Sequence, residues 1–408
     1  MPIPHQEKGK IMIKHNHARS ISHRIASTRS PAKRMAVMVA AALALLGGTQ
    51  LAQAAQGGAV YVLSNQAAGN SVEVYHRAAD GTLTFAQSVP TGGLGTITPP
   101  PPAGAAGIDP LASQNSVIYK DGLLLAVNAG SNDISLFRAE GDRLELLDKV
   151  PSGGVKPTGL AVRGNLVYAV NAAGTPNVSG FRLDAAQGRL RALPNSTVAL
   201  PGGTNAAPGE VAIGPDSESL IVTEKGTNTI DSFALDAAGY ASHGKTLAVA
   251  APGKVPFGFA ISHRGYLLVA EAGSGSASSY DIGHAATLKP ISQSVSLNGQ
   301  TAPCWLITTP DGAYAYTGNA GTGTIGSFSV GANGTLSLIN GVAAALSASA
   351  LDLGITRDGE FLYVREAVGS NPTAPGDITG FHVEPDGSLT RVNTVAGVPP
   401  GAQGIAVQ

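Results

Sequence analysis

The sequence predicts an all-β fold, a seven-bladed β-propeller with four antiparallel strands per blade. Three observations predict it. One strand-and-turn pattern recurs seven times, the composition suits short strands joined by tight turns, and the chain starts and stops out of phase with its repeat. Of the 408 residues, 53 are Gly and 26 Pro, only 13% are charged and 43% are hydrophobic. Gly supplies positive φ and Pro presets turn geometry, while the hydrophobic share is too high for a disordered chain.

The repeat reads as an apolar strand, a turn such as Pro-Asp-Gly, and a second apolar strand ending in Asn or Glu. A Gly-containing turn, a Ser/Phe strand, another Gly turn and a fourth strand complete it. Residues 208–216 leading into Leu220–Glu224, and residues 303–312 leading into Tyr316–Asn319, are two copies. The second strands end at Asn65, Asn128, Asn171, Glu224, Glu271, Asn319 and Glu366, at spacings of 63, 43, 53, 47, 48 and 47 residues. The third strands end on an aromatic, as in Ile134–Phe137, Ile230–Phe233 and Ile378–Phe381. Seven such units form a ring in which each sheet packs on the next and no long edge stays open.

Both ends fit a closed ring. The repeat begins at a second strand, Val60–Ser64, with no first strand ahead of it. It stops at Gly404–Val407, which matches the first-strand pattern of Gly159–Val162. The C-terminal strand is therefore expected innermost in the blade that the N-terminal strand begins. Two separate β-sandwiches would need a linker and a break in period, and neither is present.

The turns divide into two sets. Turns between first and second strands, and between third and fourth, are short: Asp80-Gly81, Gln187-Gly188, Arg264-Gly265, Asp311-Gly312, Asn333-Gly334, Asp358-Gly359 and Asp386-Gly387. The long excursions, Thr91–Pro110, Pro201–Pro208 and Val368–Asp377, belong to the opposite face. A rigid scaffold presents function on such loops, so the long-loop face is the expected working face.

Ahead of the repeat, residues 1–34 carry eight Lys/Arg and one acid, Glu7. An apolar run, Met35–Leu46, and Ala52-Gln53-Ala54 follow. This is the layout of a secretory signal over residues 1–54, with cleavage near Ala54/Ala55 and translation starting at Met1, Met12 or Met35. The run is too short to span a bilayer. The rest, a propeller over residues 58–408, holds 18 Lys/Arg against 26 Asp/Glu, a net charge near −8. A periplasmic or extracellular monomer is expected. Its acidic body is a poor partner for nucleic acid, whose binding needs Lys and Arg to displace counterions. The one cysteine, Cys304, excludes an internal disulfide.

Two rings of side chains are expected at the channel mouth on the long-loop face. One starts the first strands: Asn115, Gly159, Glu210, Gly258, Trp305, Asp352 and Gly404. The other is the Asn/Glu series that ends the second strands. Asn at a strand exit caps the turn backbone. Glu caps less readily, so Glu224, Glu271 and Glu366 with Glu210 and Asp352 suggest a clustered acidic mouth. Such carboxylates need a cation such as Ca²⁺, a base such as the adjacent Lys225 or Arg365, or a raised pKa. Trp305 reads as a ligand-facing aromatic or as channel filling, and Cys304 as a small buried hydrophobe. No His pair has metal-ligand spacing, and no Gly-x-Ser-x-Gly, phosphate loop or Cys-x-x-Cys occurs.

The run Gly214–Phe233, containing Leu220-Ile-Val-Thr-Glu-Lys-Gly-Thr-Asn-Thr-Ile-Asp-Ser-Phe233 and echoed across residues 58–408, resembles the lactonase-type seven-bladed propellers. That family includes bacterial 6-phosphogluconolactonase and fungal carboxymuconate-lactonizing enzyme. The resemblance implies a lactone hydrolase of carbohydrate metabolism and carries the family's site Glu onto Glu224. Gly209 and Glu210 stand at the family's Arg-His positions, and Asn319-Ala320-Gly321 lacks its further Arg. Two functions remain open. One is hydrolysis of a neutral cyclic ester, with Glu224 as general base and a divalent cation held by Glu210, Glu271 or Asp352. The other is a non-catalytic propeller that binds a small molecule or protein at the long-loop face, through Trp305, Asn115, Asp352, Glu271 and Glu366.

Overall fold

Alternating apolar residues pair into seven antiparallel sheets, six of four strands and one of five, in a computed structural model, which describes residues 57–98, 108–242, 244–248, 253–367 and 374–408. The predicted signal segment and the middle of two long loops lie outside the described residues. The innermost strand of blade I is Gln403–Val407, hydrogen-bonded to Gly58–Leu63, so the ring closes as the repeat phase predicts. Blades II to VII have innermost strands Val117–Lys120, Val155–Arg163, Pro208–Ile213, Pro256–Ile261, Pro303–Thr308 and Ser349–Ile355. Blade III carries a fifth short strand, Val198–Ala199, beside its third.

The short turns are built as their sequences require. Gly81, Gly188, Gly265, Gly312, Gly334, Gly359 and Gly387 all have φ between 61° and 87°, a region costly for residues with a Cβ. The second strands are buried along nearly their whole length, and their two faces pack on the neighbouring blades. Tyr61, Tyr168, Tyr316 and Tyr363 are buried but send their hydroxyls to Gly141, Gly239, Gly387 and Gly81 carbonyls of adjacent blades, at 2.6–3.0 Å. Each phenol thereby fills core and satisfies its polar tip across a blade boundary.

A feature absent from the repeat pattern shapes the axis. The innermost strands of blades I, III, IV, VI and VII each carry an extra, bulged residue near their start: Gly404, Thr158, Gly209, Cys304 and Asp352. A bulge bends the strand and shifts which face the next side chain takes. Among the described residues no helix is long and apolar enough to cross a membrane.

Candidate functional site

The end of the loop between blades I and II does not stay on the surface. Residues 108–116 enter the centre of the ring and are stitched there by side chains. Gln114 works as a two-way clamp: its Oε1 accepts from Leu306 N at 3.1 Å, and its Nε2 donates to Leu306 O at 3.0 Å. Its backbone N–H donates to Gly209 O, Ser113 Oγ donates to Thr158 O, and Leu111 N donates to Gln403 Oε1. The neighbouring strands leave room by lacking side chains. A Cβ on Gly258 would overlap Gln114 Oε1, and one on Gly159 would sit 2.9 Å from Gln114 O. Trp305 holds the segment from behind. It is fully buried, donates from Nε1 to Ser113 O at 3.1 Å and packs on Phe257. It fills the channel and does not face a ligand.

Below the plug three of the sequence-predicted residues converge. Asn115, in the left-handed region at φ 64°, donates from Nδ2 to Glu210 Oε1 at 2.5 Å. Glu210 Oε2 accepts from Phe259 N. Asp352, also at positive φ, accepts from Leu353 N with Oδ1, while Oδ2 has no partner among the described residues. Burial pushes the Asp352 carboxyl up to about 8 and holds Glu210 well above the usual carboxylate range, with the nearby Asp352 charge adding to the shift on Glu210. Asn115 and Glu210 sit at the inner end of two confluent cavities, about 390 and 570 Å³, that share Asn115, Ala212, Ile213, Ile307 and Ile355. The lining includes Lys120, Arg163 and His263, so the cavities open on the short-turn face, not the expected long-loop face.

On the long-loop side the plug delivers a residue that the repeat pattern does not single out, Asp109. It is half-buried and accepts from Ala112 N at 2.9 Å. Burial raises its pKa, against the opposing pull of a Gln403 hydrogen bond and the charges of Lys225 and Arg365. Lys225, also half-buried, donates to Ala112 O and Pro208 O and lies 4.7 Å above the Phe257 ring. Desolvation lowers its pKa to about 8 against the attraction of Asp109. Arg365 is buried, with Nε and Nη1 unpartnered among the described residues, and desolvation lowers it to about 10. Cys304 lies nearby as a buried free thiol, pushed up by burial and so unreactive as a nucleophile.

The second-strand exits form no acidic mouth. Glu224, fully buried, accepts from Gly202 N at 3.0 Å and Thr227 Oγ1 at 2.5 Å. Glu271 accepts from Ser276 and Ser278 hydroxyls, and Glu366 from Ser347 N, Ser347 Oγ and Thr379 Oγ1. Asn128 and Asn319 bond hydroxyls of their own blades with the roles reversed, the amide Nδ2 donating to Ser135 Oγ and Thr324 Oγ1. Glu therefore also caps the exit, because nearby Ser and Thr hydroxyls and backbone N–H groups supply the donors. Nor do Glu224 and Glu210 approach each other across their strand pair. With Gly209 bulged, Glu210 pairs with Thr223, and cross-strand partners share a face. Glu224, one residue on, points to the other side of the sheet. Among the described residues no three His, Cys, Asp or Glu side chains converge as metal ligands.

Seven antiparallel sheets in a closed ring define the class, a seven-bladed β-propeller. Residues 176–302 match the model of the family described as lactonase, 7-bladed beta-propeller. No curated protein matches the sequence. Among solved structures the chain is similar to a candidate 6-phosphogluconolactonase from Bacteroides fragilis, at 19% identity and a TM-score of 0.63, covering 88% of this chain and 100% of that one. It is also similar to a Lactobacillus plantarum protein, at 18% identity and a TM-score of 0.66, covering 86% and 99%. A third is the periplasmic gluconolactonase of Pseudomonas aeruginosa, at 15% identity and a TM-score of 0.61, with coverage of 86% and 99%. At these identities the likeness carries the fold alone.

Proposed function

We propose that the protein is a carboxylic ester hydrolase that opens a small lactone at the long-loop face, outside the cytoplasm. The observation that carries the reading is the opposed pair Asp109 and Lys225, both half-buried, with pKa values displaced toward each other. The two meet on one plug residue, Asp109 accepting from Ala112 N and Lys225 donating to Ala112 O, and titratable groups shifted toward each other this way mark an acid–base site. They also supply a cation at the axis, which the resemblance to lactonases calls for and Gly209-Glu210 does not provide.

The chemistry follows from those groups. Asp109 takes a proton from water as the water oxygen bonds to the lactone carbonyl carbon. The oxyanion that forms lies against the Lys225 ammonium, two of whose donors are already fixed on Ala112 O and Pro208 O. Collapse breaks the ring C–O bond, and the leaving alkoxide recovers the proton from Asp109, giving a hydroxy acid. The Arg365 charge favours ionised Asp109. The rate is expected to rise as Asp109 ionises and to fall as Lys225 deprotonates near pH 8.

A pH-stat screen of neutral and anionic lactones tests this. Asp109→Asn should lower turnover by about 10²–10⁴, the usual contribution of a general base. Lys225→Met should cost about 10²–10³, as loss of an oxyanion donor does. Turnover lost in Glu224→Gln but intact in Asp109→Asn would return the base to Glu224. Binding without turnover of any lactone would leave a ligand-binding propeller.

The layout of residues 1–54 supports export. The mature chain is expected to begin near Ala55 in the periplasm or medium. N-terminal sequencing of the exported protein that starts at Met1, Met12 or Met35 would overturn the export reading.

A further inference from the structure

The short-turn face has no long loops and plays no part in the proposed reaction, yet it holds the large cavities described above. Their walls are aliphatic, with Ile118, Ala212, Ile307, Ile355 and Val407 partly exposed to the space. A volume of about 570 Å³ is that of a small-molecule pocket. The rim and the floor differ in character. At the rim stand Arg163 and His263, neither with a carboxylate partner among the described residues, and Lys120, which pairs with Asp121 at 2.7 Å. At the floor Asn115 and Glu210 meet, with Gln114 wholly engaged behind them. Glu210 is the one acidic residue among the lining residues.

We propose that this channel is a second small-molecule site, on the face opposite the hydrolytic one, that takes an aliphatic hydroxycarboxylate with its carboxylate at the Arg163–His263 rim and its hydroxyl at the Asn115–Glu210 floor. The rim is cationic, so it attracts an anion and opposes an amine. The walls offer apolar contact to a chain but almost no hydrogen bonds. The floor is polar: Asn115 Nδ2 is held by Glu210 Oε1, which fixes the amide and leaves Asn115 Oδ1 to accept from a ligand. A hydroxyl can donate to that oxygen, whereas a methyl end would take it out of water without a partner, at a cost. The ligand class coincides with the product of lactone opening, but the site stands on its own residues and does not rest on that reaction.

Trp305 provides the readout, being the only tryptophan and bonded through its indole N–H to the plug whose next residue, Gln114, backs the floor. Titration of the full mature chain with 6-hydroxyhexanoate should change Trp305 emission, and calorimetry should give a saturable site. Hexanoate and 1,6-hexanediol should each bind about tenfold more weakly, since the first lacks the hydroxyl and the second the carboxylate. Arg163→Gln, at the exposed end of its strand, should weaken 6-hydroxyhexanoate by about tenfold, and Ala212→Leu should block it by filling the wall. Asp109→Asn and Lys225→Met should leave this binding unchanged. The proposal is overturned if 6-aminohexanol binds as well as 6-hydroxyhexanoate, or if Arg163→Gln leaves affinity intact. It is overturned equally if Lys225→Met abolishes the signal, which would put the ligand on the long-loop face, or if no ligand saturates.

Discussion

A chain lacking residues 401–408 is expected to lose cooperative unfolding and to aggregate. Gln403–Val407 is the innermost strand of blade I and pairs with Gly58–Leu63 across residues whose side chains are wholly buried. Ala402 and Ile405 lie in the core shared by blades I and VII, and Val407 packs against it. Gln403 also anchors the plug through Leu111. Removing one large buried side chain costs about 1.5–3 kcal/mol of transfer free energy, and the truncation adds a lost ladder and a loosened plug. The sum is a large part of the roughly 5–15 kcal/mol that holds a typical domain together. It also bares Gly58–Leu63, an apolar edge strand, to pairing with other chains. Thermal unfolding followed by circular dichroism and light scattering checks the claim. A truncated chain that stays monomeric and melts with the full-length midpoint would mean that the ring does not depend on this closure.

The repeat made the fold legible because each blade obeys the same local rules. Strand length, turn glycines and the aromatic that ends each third strand agree across seven copies, and the phase at the two ends implies the closing strand. The site was less legible because it depends on departures from the repeat. Strict alternation puts Glu210 on the same side of blade IV as Glu224, but one bulged glycine reverses it. Glu caps a strand exit less readily than Asn, which suggested a clustered acidic mouth, yet Thr227, Ser276, Ser278 and Thr379 supply hydroxyls that bind these carboxylates. The plug left a readable trace all the same. Gly159, Gly209, Gly258 and Gly404 stand near the starts of innermost strands, where a strand interior normally avoids glycine. Four glycines around one axis indicate that another stretch of backbone comes close. Nothing in the pattern says that this stretch is residues 108–116, because Asp109 gains its meaning only from a chain path that leaves the surface.

The buried carboxyls at the axis should make stability fall as pH rises through the neutral range. Asp352 titrates near 8 in the folded protein, because burial disfavours its charge, against about 3.9 when unfolded. Between those values the folded chain keeps a proton that the unfolded chain has released. Its stabilising contribution is therefore complete below about pH 4 and is lost as pH climbs to 8, with a slope of up to about 1.4 kcal/mol per pH unit. Glu210 acts in the same direction. Lys225 acts in the opposite direction, but only above about 8, where its folded form has already lost the proton that the unfolded form keeps. Denaturant unfolding at pH 5 and pH 8 thus isolates the carboxyls, and the protein should lose roughly 2–4 kcal/mol across that interval. In Asp352→Asn the Oδ1 bond from Leu353 N–H survives without a charge to bury. The variant should match the parent at pH 5 and exceed its stability at pH 8, and contributions from exposed His cancel in the difference. Parallel pH profiles for parent and variant would show that Asp352 is ionised or solvated in the folded state. Because the charges on Asp352 and Glu210 oppose each other, the gain at pH 8 from Asp352→Asn plus Glu210→Gln should fall short of the sum of the single gains.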